Sequence, residues 1–225
     1  VIVVVGFALK LDSILIIMVA AVATALVAGM DPVTFLSTMG KSFVSNRSML
    51  IFIMTFVITG TLERNGLKQA AAALMAKFKG ATAGLVIAAY GVFRLIFAAF
   101  NVGFGGVAGF VRPVIMPMAQ AAVEEDGQPI AEEQLEQIKG MAAGMENVTW
   151  FFGQVLFVGG SGGLLVQSTL ANLGYNVELI DIAATEVPIA VIATLVAIVY
   201  YQIIDKKLMR KYHSGAAASA KAGEK

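Results

Sequence analysis

The chain has 225 residues, 58% of them hydrophobic and only 14% charged, against the roughly 25% charged share of an ordinary soluble domain. A net charge of +1 gives no electrostatic basis for binding nucleic acid, and the lack of any cysteine excludes disulfides, thiolate metal sites and cysteine nucleophiles. The one histidine, His213, stands in a polar C-terminal stretch, so histidine acid–base and metal chemistry is largely removed too.

What remains is an all-α polytopic membrane protein, read as a single transmembrane domain over 1–213. Residues 1–9 and 13–30 are apolar stretches joined by Lys10, Leu11 and Asp12, which predicts a tight helical hairpin in the bilayer. At ~1.5 Å per residue the first stretch would reach only about 14 Å, and it opens on Val1, so a trimmed or misplaced start is expected. No basic n-region or small-residue cleavage pattern marks a signal peptide. The run AAVATALVA at 20–28 favours close helix–helix approach. Asp31 and Pro32 form a cap and first-turn proline opening a short amphipathic segment over 33–44. Residues 49–62 complete a set of scaffold helices over 1–62.

Residues 66–79 read as an interfacial helix, with Leu67, Ala71, Leu74, Met75 and Phe78 on one face and Lys68, Lys77 and Lys79 near its ends. The stretch 81–100 is apolar apart from Arg94 and runs into a glycine-rich break, Asn101-Val-Gly-Phe-Gly-Gly106. Arg112-Pro113 and Pro117 follow, in a stretch ending near Val123. Residues 129–145 read as an acidic helix carrying Glu132, Glu133 and Glu136. Next comes 146–163, ENVTWFFGQVLFVGGSGG, uncharged after Glu146 but holding Asn147, Thr149, Gln154, Ser161 and glycines 159, 160, 162 and 163. An unpaired backbone group in hydrocarbon costs several kcal/mol. A glycine break in such a segment therefore points to a discontinuous helix beside a solute cavity, or else to a glycine packing face against a neighbouring helix.

The last span is 187–204, and 214–225 reads as disordered tail. Lys206, Lys207, Arg210 and Lys211 place the C-terminus in the cytoplasm, as the 64–79 cluster places its own loop. Parity between those two clusters requires an even number of crossings, so one glycine-broken region must be re-entrant. The reading taken is a re-entrant hairpin over 82–122 with its tip at 101–106, a cytoplasmic acidic helix, and a broken but crossing helix over 147–173. About five helices then cross, and the reverse assignment of the two broken regions satisfies parity equally.

Six stretches carry a resemblance to a known family: VVVGFALKLD near the start, GKSFVSNRSM at 40–49, LERNGLKQAA at 62–71, KGATAG at 79–84, VRPVIMPMA at 111–119 and ENVTWFFGQVLFV at 146–158. In their order and spacing the chain resembles a small bacterial membrane family, long described as a domain of unknown function and regarded as one subunit of a two-component 5-oxoproline (pyroglutamate) transporter. The resemblance runs from Val1 to about Lys207. It implies a place in the ion-transporter superfamily, where each half supplies scaffold helices, a re-entrant hairpin, a broken helix and a final span. It also implies the bacterial cytoplasmic membrane and a second membrane subunit as partner. It transfers no binding residues.

Site candidates therefore rest on the residues themselves. Arg94, charged and inside an apolar segment, suits the carboxylate of a small organic anion, or else snorkels or pairs with the partner. Asn101, Gly103, Gly105 and Gly106 in the first break, with Gly159, Gly160, Ser161, Gly162 and Gly163 in the second, offer amides to an anion and carbonyls to a cation. Asn147, Thr149 and Gln154 are neutral polar candidates, or interhelical hydrogen-bonding groups. Trp150 is expected in an interface belt and Arg112 as an anchor or hairpin brace. No well-buried aspartate or glutamate is expected in the apolar spans, Glu146 at a segment end coming closest to a proton-relay group, so the coupling ion is read as Na+, held by carbonyls near Gly159, Gly160 and Ser161, with H+, bound by a carboxylate of the partner, as the alternative. No other cofactor is expected, and no enzyme. The function expected is one half of a secondary active transporter, the alternative a non-transporting scaffold or assembly subunit.

Overall fold

Aspartates start two of the first three helices. The Asp12 carboxylate accepts from the amides of Ile14 and Leu15, both at 3.0 Å, and that of Asp31 from Val33 at 3.0 Å and Thr34 at 3.1 Å, with Pro32 in the first turn. Each cap satisfies amides that the first helical turn leaves without partners. The helices so begun are α2 (Ser13–Val27) and α3 (Pro32–Ser45), preceded by α1 (Ile2–Ala8). In the computed structural model, which describes residues 1–47, 50–77, 82–124 and 129–222 (the backbone alone at 51, 52, 55 and 213–222), α1 and α2 form the expected hairpin. Lys10 takes the left-handed turn conformation at φ 57°, and Ile16 packs so closely on Gly6 that its Cγ1 lies 2.7 Å from where a Cβ would stand.

These three helices belong to one compact unit, Val1–Ser48, and the rest to a second, Met49–Lys225. The second holds α4 (Leu50–Arg64), α5 (Leu67–Ala76), α6 (Ala83–Ala99), a π-helical segment Val107–Ile115 leading into α7 (Met116–Val123), then α8 (Glu132–Gln154), α9 (Ser161–Asn172) and α10 (Leu179–Ala222). Every regular element among the described residues is helical. Pro113 explains the wide turn: it has no N–H to give, and the Met116 amide reaches back five residues to the Val111 carbonyl.

The core of this unit is α6, α8 and α10, brought close by glycine. Met145 Sδ fills the space a side chain on Gly91 would need, and Ala98 Cβ lies 2.5 Å from where a Cβ on Gly153 would stand. The paired numbers rise together, 91 with 145 and 98 with 153, so α6 and α8 run parallel. They therefore end side by side. α10 runs antiparallel to α8: Lys211 meets Glu133, while the Tyr201 hydroxyl fills the space of a side chain on Gly144. Small residues on the inner face of α10 (Ala183, Ala190, Thr194, Ala197) permit the approach. The chain doubles back after α6, because α7 packs against it.

Several boundaries differ from those expected. The acidic helix and the first half of the broken helix are one continuous α8. The polarity change at Glu146 alters what the helix touches, not its backbone hydrogen bonding. The second interruption occupies 155–160, earlier than expected, and Gly162 and Gly163 are helical. The Leu164 amide bonds the Gly160 carbonyl at 3.0 Å, so these glycines form the first turn of α9. α5 turns Ala71 and Met75 into the core instead of lying flat on a surface, while Leu74 stays exposed; Phe78 and Lys79 fall outside the described residues. The expected tail continues α10 as far as Ala222, since alanine propagates an existing helix at little cost. Among the described residues one helix, through Leu179–Tyr212, is long and apolar enough to cross a bilayer. Ser13–Val27, Ala83–Ala99 and Val107–Val123 are apolar but shorter than the ~20 residues a spanning helix needs.

Candidate functional site

Helical spacing builds the site from two faces. Tyr90 and Arg94, one turn apart on α6, meet Glu146 and Trp150, one turn apart on α8. Tyr90, Arg94 and Glu146 are 0%, 1% and 3% exposed. Arg94 Nε donates to Glu146 Oε2 at 2.9 Å, and the Tyr90 hydroxyl donates to the same oxygen. Arg94 Nη1 donates to the Val102 carbonyl, also at 2.9 Å, tying the first break to the helix before it. The guanidinium carbon lies 4.3 Å from the Trp150 ring centre and 5.4 Å from that of Phe104, close enough for cation–π attraction. Phe104 stacks on Phe110 at 4.9 Å between ring centres, and Tyr90 on Phe110 at 5.8 Å, so the pair sits on an aromatic floor. Burial at this depth costs each ion several kcal/mol, which the mutual hydrogen bonds and the carbonyl offset.

The break over 101–105 follows at once. Asn101, Gly105 and Gly106 have φ of 55°, 82° and 62°, a conformation that glycine adopts freely and asparagine tolerates. A Cβ on Gly103 would stand 3.5 Å from Glu63 Oε1, one on Gly105 3.1 Å from Lys68 Nζ, and one on Gly106 3.9 Å from Glu146 Oε1. Charged groups from α4, α5 and α8 thus converge on a stretch that offers only backbone. Among the described residues Lys68 makes no ion pair or hydrogen bond, and Glu146 Oε1 accepts none.

The other interruption is different. Its amides close tight turns on the chain just before them: Leu156 to Gly153 at 3.1 Å, Phe157 to Gln154 at 3.3 Å, Gly160 to Phe157 at 2.9 Å. Gly159 is buried, while Ser161 and Gly162 are exposed and Gly163 half-buried in the first turn of α9. Asn147 is exposed, Gln154 is the last residue of α8, and the Thr149 hydroxyl is spent on the Met145 carbonyl at 2.7 Å. Arg112 lies away from the buried pair, on a 720 Å³ groove it shares with Glu136 and Lys139. Among the described residues no three histidines or acids gather as a metal site.

Over residues 1–209 the chain matches the model of a family described as "Protein of unknown function (DUF969)". It belongs to that family. No curated protein and no solved structure matches the chain.

Two expectations for this DUF969 chain are corrected by the geometry. Buried carboxylates were not expected, yet Glu146 is 3% exposed and Asp205, packed on Gly84, 2%. For Glu146 the reason is its counter-ion, since Arg94 on the facing helix compensates the charge. Trp150, expected in an interface belt, instead covers Arg94. Sequence reasoning also passed over Tyr90 and Lys68. The signal for Tyr90 was present: a polar hydroxyl four residues before the buried arginine falls on the same helical face.

Proposed function

We propose that this chain is one subunit of a secondary active transporter for a small organic anion, with 5-oxoproline the substrate that the family resemblance implies. It works with a second membrane subunit by alternating access. The observation that carries the reading is the buried Arg94–Glu146 pair, seated beside the glycine-containing break that follows α6, with parallel α8 giving way to a second irregular stretch about two turns beyond Glu146. Broken helices next to a buried charge are the means by which transporters present bare amides and carbonyls to a solute. Lys68, beside Gly105, and the amides opening the π-helical segment favour a carboxylate there. Outward apolar side chains on α1, α2, α4 and α10, among them Val4, Ile17, Phe56 and Ile192, suit lipid or an apolar partner. The hairpin of α6 and α7 is read as re-entrant, and the basic residues after Ile204 as cytoplasmic.

Uptake of labelled 5-oxoproline is measured in bacteria lacking their own uptake, expressing this chain, its partner or both. Uptake only with both is expected. Uptake undiminished without the partner ends the two-subunit reading, and none with both ends the transport reading. A second reading, a non-transporting scaffold subunit, is favoured by one observation: Arg94 already spends two donors within its own chain. In that case Gly105→Leu disturbs assembly and leaves substrate affinity unchanged in the complex that survives.

A further inference from the structure

We infer that Glu146 is the proton acceptor that drives this transport, so that the coupling ion is H+ and each proton travels with one monocarboxylate. The inference rests on the transport reading above and names its coupling chemistry. It begins with the two oxygens of one carboxylate. Oε2 takes two donors, Tyr90 and Arg94. Oε1 takes none among the described residues and lies 3.9 Å from the place where Gly106 lacks a side chain. The lone pairs of a carboxylate whose side chain is 4% exposed therefore face the break.

Two small cations could use that oxygen. Sodium needs several oxygens around it and would sit beside a guanidinium whose Nε is 2.9 Å from the same carboxylate, with the Lys68 ammonium across the break. Both repel it. A proton needs a single lone pair, and once bound it leaves a neutral acid. The other charged groups bear on the site unequally. Glu63 on α4 faces Gly103 and Asp205 on α10 faces Gly84 near the start of α6. On α8 itself Lys139 is two turns away, exposed and paired with Glu136, and Arg112 of the π-helical segment is exposed.

The step balances. A hydronium ion gives its proton to Oε1 and leaves as water, the neutral acid lets go of the Arg94 Nε hydrogen bond at Oε2, and Arg94 is left a buried cation without its counter-ion. A substrate carboxylate takes the vacated place on Arg94. After the passage opens to the other side, the proton leaves Oε1 to water, Glu146 pairs again with Arg94, and the substrate is displaced. One positive and one negative charge cross together, so no net charge moves.

The test uses the two-subunit complex in sodium-free proteoliposomes, with labelled 5-oxoproline as the monocarboxylate and a trapped pH dye. The wild type is expected to accumulate label at least tenfold under an inward acid gradient, indifferent to an imposed membrane potential, with one proton entering per substrate. Glu146→Gln is expected to lose accumulation while keeping label exchange in counterflow, at a rate flat from about pH 5.5 to 8. If that variant does not assemble, the wild-type gradients decide alone. Accumulation driven by a sodium gradient at equal pH, or an acid-driven Glu146→Gln, overturns the proton assignment and leaves the transport reading standing. No counterflow by wild type in any gradient overturns the transport reading itself.

Discussion

The two interruptions of this fold begin side by side and are built in opposite ways. The one after α6 holds glycines at φ 82° and 62°, with carboxylates and an ammonium against its bare backbone. The one after α8 has no glycine at positive φ. Its nearest approach is its own chain, the Phe157 carbonyl 3.0 Å from where a Cβ on Gly160 would stand. Glycine content is similar in both, and only the first needs it for conformation and charge access. A glycine-rich stretch thus marks a change of direction, and the groups brought against it decide whether the change is a site.

The comparison breaks most sharply at the ion pair. Arg94→Met should cost about 3–5 kcal/mol of unfolding free energy, because Glu146 is left buried and uncompensated. The double variant Arg94→Met/Glu146→Leu should regain most of it, and denaturant unfolding of the four members of this cycle in detergent checks both. If Arg94→Met is as stable as wild type, the pair does not organise the first break.

The glycines sharpen the same contrast with a difference of sign. Gly105→Ala forces a side chain into the left-handed region and should cost about 1–2 kcal/mol. Gly162→Ala meets nothing within 4 Å and, in a helix, should gain up to about 0.5–1 kcal/mol. Melting temperatures moving in opposite directions would confirm that the breaks differ in kind; equal losses would erase the distinction.

The smallest effect lies at the far end of α8. The Tyr212 hydroxyl and then Lys211 hold the Glu133 carboxyl below its ordinary value of 4.5. A depressed carboxylate contributes its stabilisation fully above the ordinary value and loses it as pH falls through the depressed one. Hydrogen-exchange protection of the α10 amides near 205–212 should therefore fall slightly below pH 4.5 in the wild type, and show no such step in Glu133→Gln.

Much of this could be read from the residues in order. Asp31 announced its helix because a cap is a local event, and 101–106 announced its break because two of its glycines, Gly105 and Gly106, stand at positive φ, outside the helical region. Arg94 was found because a charge amid apolar residues is conspicuous in one dimension. Its partner was not, since Glu146 lies 52 positions away and only the parallel register of α6 and α8 brings the two together. That register is set by close contacts at Gly91 and Gly153, which a sequence shows as glycines and nothing more. The unbroken α8 was hidden for a related reason: side-chain polarity changes abruptly at Glu146 while the main chain does not respond to it.

The hydroxyl of Tyr201, lodged in the notch at Gly144, works as a key between α8 and α10. Neither rod can slide along the other without first lifting that ring out of its slot. On the transport reading proposed above, α8 and α10 move as one body, and the bend falls to 155–160, where tight turns replace the helical ladder.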